Sequence, residues 1–161
     1  TVQDAQLLLK IRDGTPEEAR VAAAHIDPTW KLRGQTAIYF AAARKDPSAD
    51  EISRFLMSRL HGEPATHSDD WGQSPLFYAA REGHTQLCKY FVEKWAMSAN
   101  QQDSWGETPL FYAMKWQRLE TAVYLLQCGA SMGVVNIMKQ SAERLATVEM
   151  SRELHARMQE W

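Results

Sequence analysis

The sequence predicts an all-α solenoid of stacked helix–turn–helix units, with short β-turn or hairpin fingers between them. The first observation is a repeat: residues 69–80 read DDWGQSPLFYAA and residues 103–114 read DSWGETPLFYAM, which places Gly72 and Gly106 34 residues apart. The second is that apolar residues recur at helical spacing after each copy. A period of this length is typical of an array in which no unit can bury its apolar face alone.

Each full copy predicts a turn followed by two helices. Gly72 and Gly106 can take the positive φ that a tight turn needs. Ser74 and its counterpart Thr108 stand where the N-cap of the first helix is expected, and a proline follows each at the first helical position. The second helix is predicted from apolar positions at helical spacing, which are Leu87, Cys88, Phe91 and Val92 in one unit and Thr121, Ala122, Leu125 and Leu126 in the next.

Weaker copies extend the array in both directions. Residues 34–42 read GQTAIYFAA, and residues 136–146 carry Lys139 where the other units have glycine. We therefore expect one domain over residues 1–161. Its predicted parts are an N-terminal helical cap (1–29), a repeat with insertions (30–68), two full repeats (69–102 and 103–135) and a C-terminal capping repeat (136–161).

Further helices are predicted in the flanking segments. The motif Thr15-Pro-Glu-Glu predicts a capped helix over 16–26, paired with a helix over 2–12. Ser48 and Glu51 suggest a capping box at the start of another helix. The residues expected to face inward are Leu7, Leu8, Ile11, Val21 and Ile26 in the first pair, Ile52, Phe55 and Leu56 in the next helix, and Leu154, Met158 and Trp161 along a last helix.

Composition narrows the classes of function. Apolar residues make up 45%, charged residues 24%, and the formal charge is −2, so we expect a globular protein that neither enters a membrane nor binds nucleic acid. No P-loop, nucleophile-elbow or zinc-protease motif is present, so we expect no enzyme, no metal and no cofactor. We expect a cytoplasmic or nuclear location, because no signal peptide or glycosylation sequon is found. We also expect the domain to be a monomer by itself. A chain that begins without Met is expected to be a piece of a longer protein.

These residues resemble the ankyrin repeat, whose signature has the form G-x-T-P-L-H-x-A-A followed by G-H. The resemblance is strong over 69–131 and moderate over 30–68. Phe77 and Phe111 replace the histidine of the signature, which puts the usual polar bridging between turns in doubt. Tyr78 and Tyr112 are expected to pack in the core. The resemblance implies a protein-binding module that holds its partner on the concave surface formed by turn tips and first helices.

That surface predicts the binding residues. Trp71 and Trp105 occupy equivalent turn positions and Trp116 follows a first helix, and tryptophan is among the residues most enriched at binding hot spots. The other positions that the resemblance assigns to partner binding are Arg33, Arg44, Asp70, Arg81, Glu82, Glu107 and Lys115, which make the groove mildly positive and suit a partner with acidic and apolar residues.

Three alternatives stay open at this stage. The tryptophans could pack flat across adjacent turns and only tighten the stack. They could form a cage around a methylated lysine or arginine, which requires two rings that face each other. The domain could also regulate an enzyme or channel within the same polypeptide.

Overall fold

A computed structural model describes residues 1–61 and 68–161. Within this part of the chain, the structure has nine α-helices and one short 3-10 helix. The α-helices are α1 (Val2–Asp13), α2 (Pro16–His25), α3 (Ala37–Ala42), α4 (Ser48–Ser58), α5 (Pro75–Glu82), α6 (Thr85–Trp95), α7 (Pro109–Lys115), α8 (Leu119–Gln127) and α9 (Val148–Met158), and the 3-10 helix is Ala142–Leu145.

The helices form two layers. The first helices of the units, α1, α3, α5, α7 and the 3-10 helix, contact one another in that order. The second helices, α2, α4, α6, α8 and α9, contact one another in the same way. Each unit therefore packs on its neighbours in sequence, as a solenoid requires, and the predicted fold class is confirmed.

Small and apolar residues let the two layers approach closely. Ala79, Ala80, Leu110 and Ala113 have no exposed surface. Pro75 and Pro109 begin α5 and α7, where a missing N–H leaves no helical hydrogen bond unmade. The repeated segment thus forms the centre of the core.

The helices begin where they are predicted to begin, but only some of the predicted capping hydrogen bonds are formed. Thr15 and Glu18 make the predicted capping box at the start of α2. Ser74 and Thr108 stand at the N-caps of α5 and α7, yet neither side chain makes a capping hydrogen bond. The capping box predicted at Ser48 is wrong, because α4 begins without a side-chain cap and the Glu51 carboxylate pairs with Arg20, with 2.9 Å between Arg20 Nε and Glu51 Oε1.

Three residues predicted to face inward are exposed. Val21 on α2 and Phe55 on α4 lie in the outer layer of helices, which is covered by the inner layer on one side only. Trp161 lies beyond the end of α9, so it does not continue the stripe of Leu154 and Met158. The other predicted inward positions are buried or half-buried.

Four fingers project between the units, and a backbone ladder joins them. Gly34, Gly72 and Gly106 take φ values of 77°, 77° and 74°, and Lys139 takes 59° at the corresponding place in the last finger. The amides of Asp70, Ser104 and Ile137 each donate to the carbonyl of the preceding finger, namely to Arg33 (3.2 Å), Trp71 (2.9 Å) and Trp105 (2.9 Å).

Candidate functional site: the finger surface

One acidic or amide side chain folds each of the last three fingers. Asp69 Oδ1 accepts hydrogen bonds from the amides of Trp71 (3.0 Å) and Gln73 (2.9 Å). Asp103 Oδ1 does the same for Trp105 and Glu107, both at 3.0 Å. This arrangement closes the turn.

The second oxygen of the same aspartate joins neighbouring units. Asp69 Oδ2 accepts from Gln35 Nε2 (2.8 Å) and from the Tyr78 hydroxyl (3.0 Å), and Gln35 also donates to that hydroxyl (2.6 Å). Gln73, Asp103 and Tyr112 repeat the set one unit further on. Gln73 Nε2 donates to Asp103 Oδ2 (2.8 Å) and to the Tyr112 hydroxyl (2.7 Å), and that hydroxyl donates to Asp103 Oδ2 (2.7 Å). Polar bridging between turns is therefore present, although the histidine of the family signature is not.

The two tyrosines serve both packing and this network. Tyr78 stacks edge-on against Tyr39 with 5.6 Å between ring centroids, and Tyr112 packs against Phe77 in the same way. Burial and the nearby Asp69 carboxylate raise the pKa of Tyr78, and burial and the hydrogen bond to Asp103 raise the pKa of Tyr112. Both phenols therefore stay protonated and act as donors at neutral pH. Sequence reasoning missed the network, although a Gln, an Asp and a Tyr recur together at the repeat spacing.

The third junction between fingers uses different groups. Asn136 holds the last turn by accepting from the amides of Met138 and Gln140, both at 3.0 Å. Its own Nδ2 donates to Glu107 Oε1 at 2.9 Å. Glu107, predicted as a binding residue, thus also joins two fingers.

Two hydroxyls at the starts of α5 and α7 have no hydrogen-bond partner among the described residues. Ser74 Oγ and Thr108 Oγ1 are buried and form no hydrogen bond in the described part of the chain. Phe77 and Phe111, which are buried beside them on α5 and α7, offer an apolar ring and no donor or acceptor. At these two helix starts the side chains therefore contribute packing rather than hydrogen bonds.

The predicted tryptophans are not equally exposed. Trp105 is 43% exposed at the tip of its finger, and Trp116 is 51% exposed directly after α7. Trp71 is half-buried in the preceding finger. Among the described residues, no ring contact joins any two of the three, so the geometry gives no support to a cage of facing rings.

Arg44 does not belong to the exposed surface, and its prediction as a binding residue needs correction. It is 1% exposed. Its guanidinium donates to the carbonyls of Ile11 (2.6 Å) and Gly14 (2.9 Å) at the end of α1, and it pairs with Asp46 at 2.6 Å. Gly14 has φ −69° and ψ 166°, an extended rather than a left-handed conformation, so the final carbonyls of α1 need a donor from elsewhere. Arg44 is that donor.

The remaining charged positions lie along the surface. Arg33, Asp70 and Lys115 are exposed, whereas Arg81 is half-buried and pairs with Glu82 at 2.8 Å. Without Arg44, the predicted cations and carboxylates of the groove are equal in number, so the mild positive charge predicted for it is lost.

A recess opens beside Trp71. It has a volume of about 190 Å³, and Trp71, Tyr78, Arg12 and Arg81 are among the residues that line it. It adjoins a larger cavity of about 570 Å³ between α1 and α5, which Arg12 and Arg81 also line. Arg81 lies over the Tyr78 ring at 5.2 Å from the centroid, so the inner wall combines aromatic and cationic groups.

The described residues contain neither a candidate metal site nor a candidate membrane-spanning helix. No group of three or more histidine, cysteine, aspartate or glutamate side chains in residues 1–61 and 68–161 could hold a metal ion. No helix in the same ranges is long and apolar enough to cross a membrane.

Comparison with protein families matches residues 40–136 to the family described as ankyrin repeats (3 copies). A search of curated proteins finds no match. Ankyrin repeats are generally protein–protein interaction modules, and proteins built from them are typically not enzymes. The match covers more than half of the chain, and it includes the two fingers and four helices of the strongest repeats. With two helix layers joined by a ladder of fingers, this chain belongs to the ankyrin-repeat family.

Proposed function

We propose that the domain binds a partner protein or peptide along the finger tips and the adjoining ends of the first helices. Trp105 and Trp116 would provide the main apolar contacts, with Trp71 beside them. Arg33, Asp70, Arg81, Glu82, Glu107 and Lys115 would form the polar rim.

One observation carries this proposal: Trp105 and Trp116 expose 43% and 51% of their surface. Burial of a tryptophan is strongly favourable, so two large rings left in water on one surface are costly unless something covers them. A role in tightening the stack fits Trp71 better, since its ring is half-buried. Hot spots in protein interfaces are enriched in tryptophan and arginine, and the surface offers both.

The test compares two variants that each remove exposed tryptophan. In the first, Trp105→Ala and Trp116→Ala are combined. In the matched control, Trp161→Ala removes a ring that is 56% exposed but lies after α9, away from the fingers. Both proteins should keep the circular dichroism spectrum of the wild type, because neither loses the roughly 3–5 kcal/mol typical of a buried aromatic.

Binding should separate the two variants. Partners captured by the wild-type domain should be lost from the double variant, with a cost of about 2 kcal/mol or more for each hot-spot ring, and retained by the control. A double variant that folds and keeps every partner would contradict the proposal and would favour a binding surface on the outer helices. A double variant that unfolds would assign the rings to packing.

A further inference from the structure

The finger tips present one side chain each, in a single row. We define the tip row as Arg33, Trp71, Trp105 and Met138, the residues that stand directly before the left-handed turn residue of each finger. The backbone ladder fixes this row, because the carbonyl of each of the first three members accepts the amide that leads into the next finger. Met138, at the far end, is 71% exposed.

The spacing of the row follows from the backbone. Each finger contributes two legs lying side by side, so equivalent residues of neighbouring fingers are separated by about two strand spacings of ~4.8 Å, or roughly 10 Å. A partner that contacts the row at successive members must present one side chain every 10 Å along its own axis.

Few backbone conformations meet this requirement. Polyproline II has three residues per turn and a rise of about 3.1 Å, so side chains on one face recur every ~9 Å. A β-strand repeats its face every two residues, at about 7 Å, and misses the row. An α-helix reaches about 10.5 Å with every seventh residue, so spacing alone does not exclude it.

The indole groups of the row favour a polyproline II partner over an α-helix. Neither Trp71 nor Trp105 donates its indole N–H to any residue in the described part of the chain. An α-helix has already paired its carbonyls internally, whereas a polyproline II segment leaves them free to accept. Aromatic surfaces that combine a flat ring with a donor are the usual docking sites for such segments.

The tip row is apolar at one end and positively charged at the other. Met138 and Trp105 make one end apolar, and the neighbouring Ile137 is 68% exposed. The other end carries Lys31 and Arg33, both exposed and without an ion pair in residues 1–61 and 68–161, against one carboxylate, that of Asp70. The charge at this end therefore favours an acidic residue on the partner.

We propose that the tip row binds a proline-rich segment in the polyproline II conformation, with an apolar residue at every third position and an acidic residue opposite Arg33. This inference rests on the proposed function and specifies the class of partner. The apolar residues would lie against Met138, Trp105 and Trp71, and the indole N–H groups would donate to carbonyls of the segment.

Three synthetic peptides test this inference with the whole 161-residue chain. The first is a decamer of proline with leucine at positions one, four and seven and aspartate at position ten. The second has the same composition with leucines at positions one, two and six, which places them on three different faces. The third is an alanine-rich helix with leucine at every seventh position. Affinities are measured by calorimetry, and the indole N–H signals are followed by nuclear magnetic resonance.

We expect the in-register peptide to bind at least tenfold more tightly than the other two, and to shift the indole signals of Trp71 and Trp105. Trp105→Ala should weaken it at least tenfold, as loss of a hot-spot ring does, and the control Trp161→Ala should leave it unchanged. The variant Arg33→Asn tests the charge, and asparagine is chosen because it tolerates the left-handed conformation of this position. It should weaken binding of the peptide that carries aspartate about two- to fivefold. It should not change binding of a peptide that carries asparagine instead of aspartate at position ten.

Equal binding of the two proline peptides, tighter binding of the helix, or no binding of any peptide would overturn the inference. Each of these results leaves the proposed function intact if captured partners still depend on Trp105 and Trp116. If captured partners no longer depend on Trp105 and Trp116 while the in-register peptide still binds, the result would instead contradict the proposed function.

Discussion

Arg44 provides the sharpest test of the interior. In the variant Arg44→Met the apolar stem is largely kept, while the guanidinium and its hydrogen bonds are removed. The carbonyl of Ile11, a residue with no exposed surface, then loses its donor at 2.6 Å, and the half-buried Gly14 carbonyl loses one at 2.9 Å. A buried polar group left without a partner costs about 1–3 kcal/mol.

The expected loss follows from adding these contributions. The two carbonyls together should cost on the order of 2–5 kcal/mol. The ion pair adds little, because the Asp46 side chain is 39% exposed and water can replace the guanidinium there. We therefore expect Arg44→Met to lower the free energy of unfolding by about 3 kcal/mol, which in a domain of this size lowers the melting temperature by roughly 6–12 °C.

Urea denaturation followed by circular dichroism measures this change. Lys45→Met is the matched control, because Lys45 is adjacent in sequence and exposed, and it should stay within about 0.5 kcal/mol of the wild type. A loss below about 1 kcal/mol for Arg44→Met would refute the assignment of Arg44 as the donor that completes α1. Partner binding by the folded fraction should not change.

Three further predictions concern the core, the unpaired hydroxyls and acid. Leu110→Ala should lower the free energy of unfolding by about 2–5 kcal/mol, because Leu110 is fully buried between the layers; a loss below 1 kcal/mol in urea would contradict the repeat register. Thr108→Val should leave stability unchanged or raise it, in contrast to the ~1 kcal/mol that removal of an N-cap normally costs, because the Thr108 hydroxyl has no partner; a clear drop in melting temperature would contradict this reading. Desolvation raises the pKa of Asp46, but the hydrogen bonds donated by Ser48 and Arg44 outweigh it, so that pKa lies below its ordinary value. The stability that ionised Asp46 adds is complete above the unfolded pKa of about 4 and is lost as the pH falls through the lower folded pKa. When the free energy of unfolding is measured at a series of pH values, Asp46→Asn should therefore lose less stability in acid than the wild type. An identical pH dependence in the two proteins would contradict a stabilising role for the Asp46 carboxylate.

The repeat made the centre of this molecule predictable. The turn, the proline-initiated helix and the stacked layers all follow from local residue types that recur together. The repeat spacing also predicts Lys139 at the glycine position, where its φ is 59°. Local preferences and tertiary packing agree there, which is the condition under which sequence reasoning works best.

The wrong predictions concern side chains whose burial depends on segments distant in the sequence. Arg44 occupies a position that the family pattern assigns to the surface, but α1 ends without a left-handed residue and draws the side chain inward to its carbonyls. Val21 and Phe55 have apolar side chains at helical spacing, yet the layer that carries them has no second layer outside it. No local pattern in the sequence records either fact.

The Glu107–Asn136 junction has a consequence for how the domain opens. The first two junctions between fingers each bring together a glutamine, an aspartate and a tyrosine, whereas the last relies on a single side-chain bond of 2.9 Å. The unit beyond it also replaces a first α-helix with four residues of 3-10 helix. In a linear array, local opening begins at the weakest terminal interface. Amide hydrogens after residue 136 should therefore exchange with solvent sooner than those of α5 and α7, and a ligand that spans Trp105 and Met138 would slow that exchange by clamping the last unit to its neighbour.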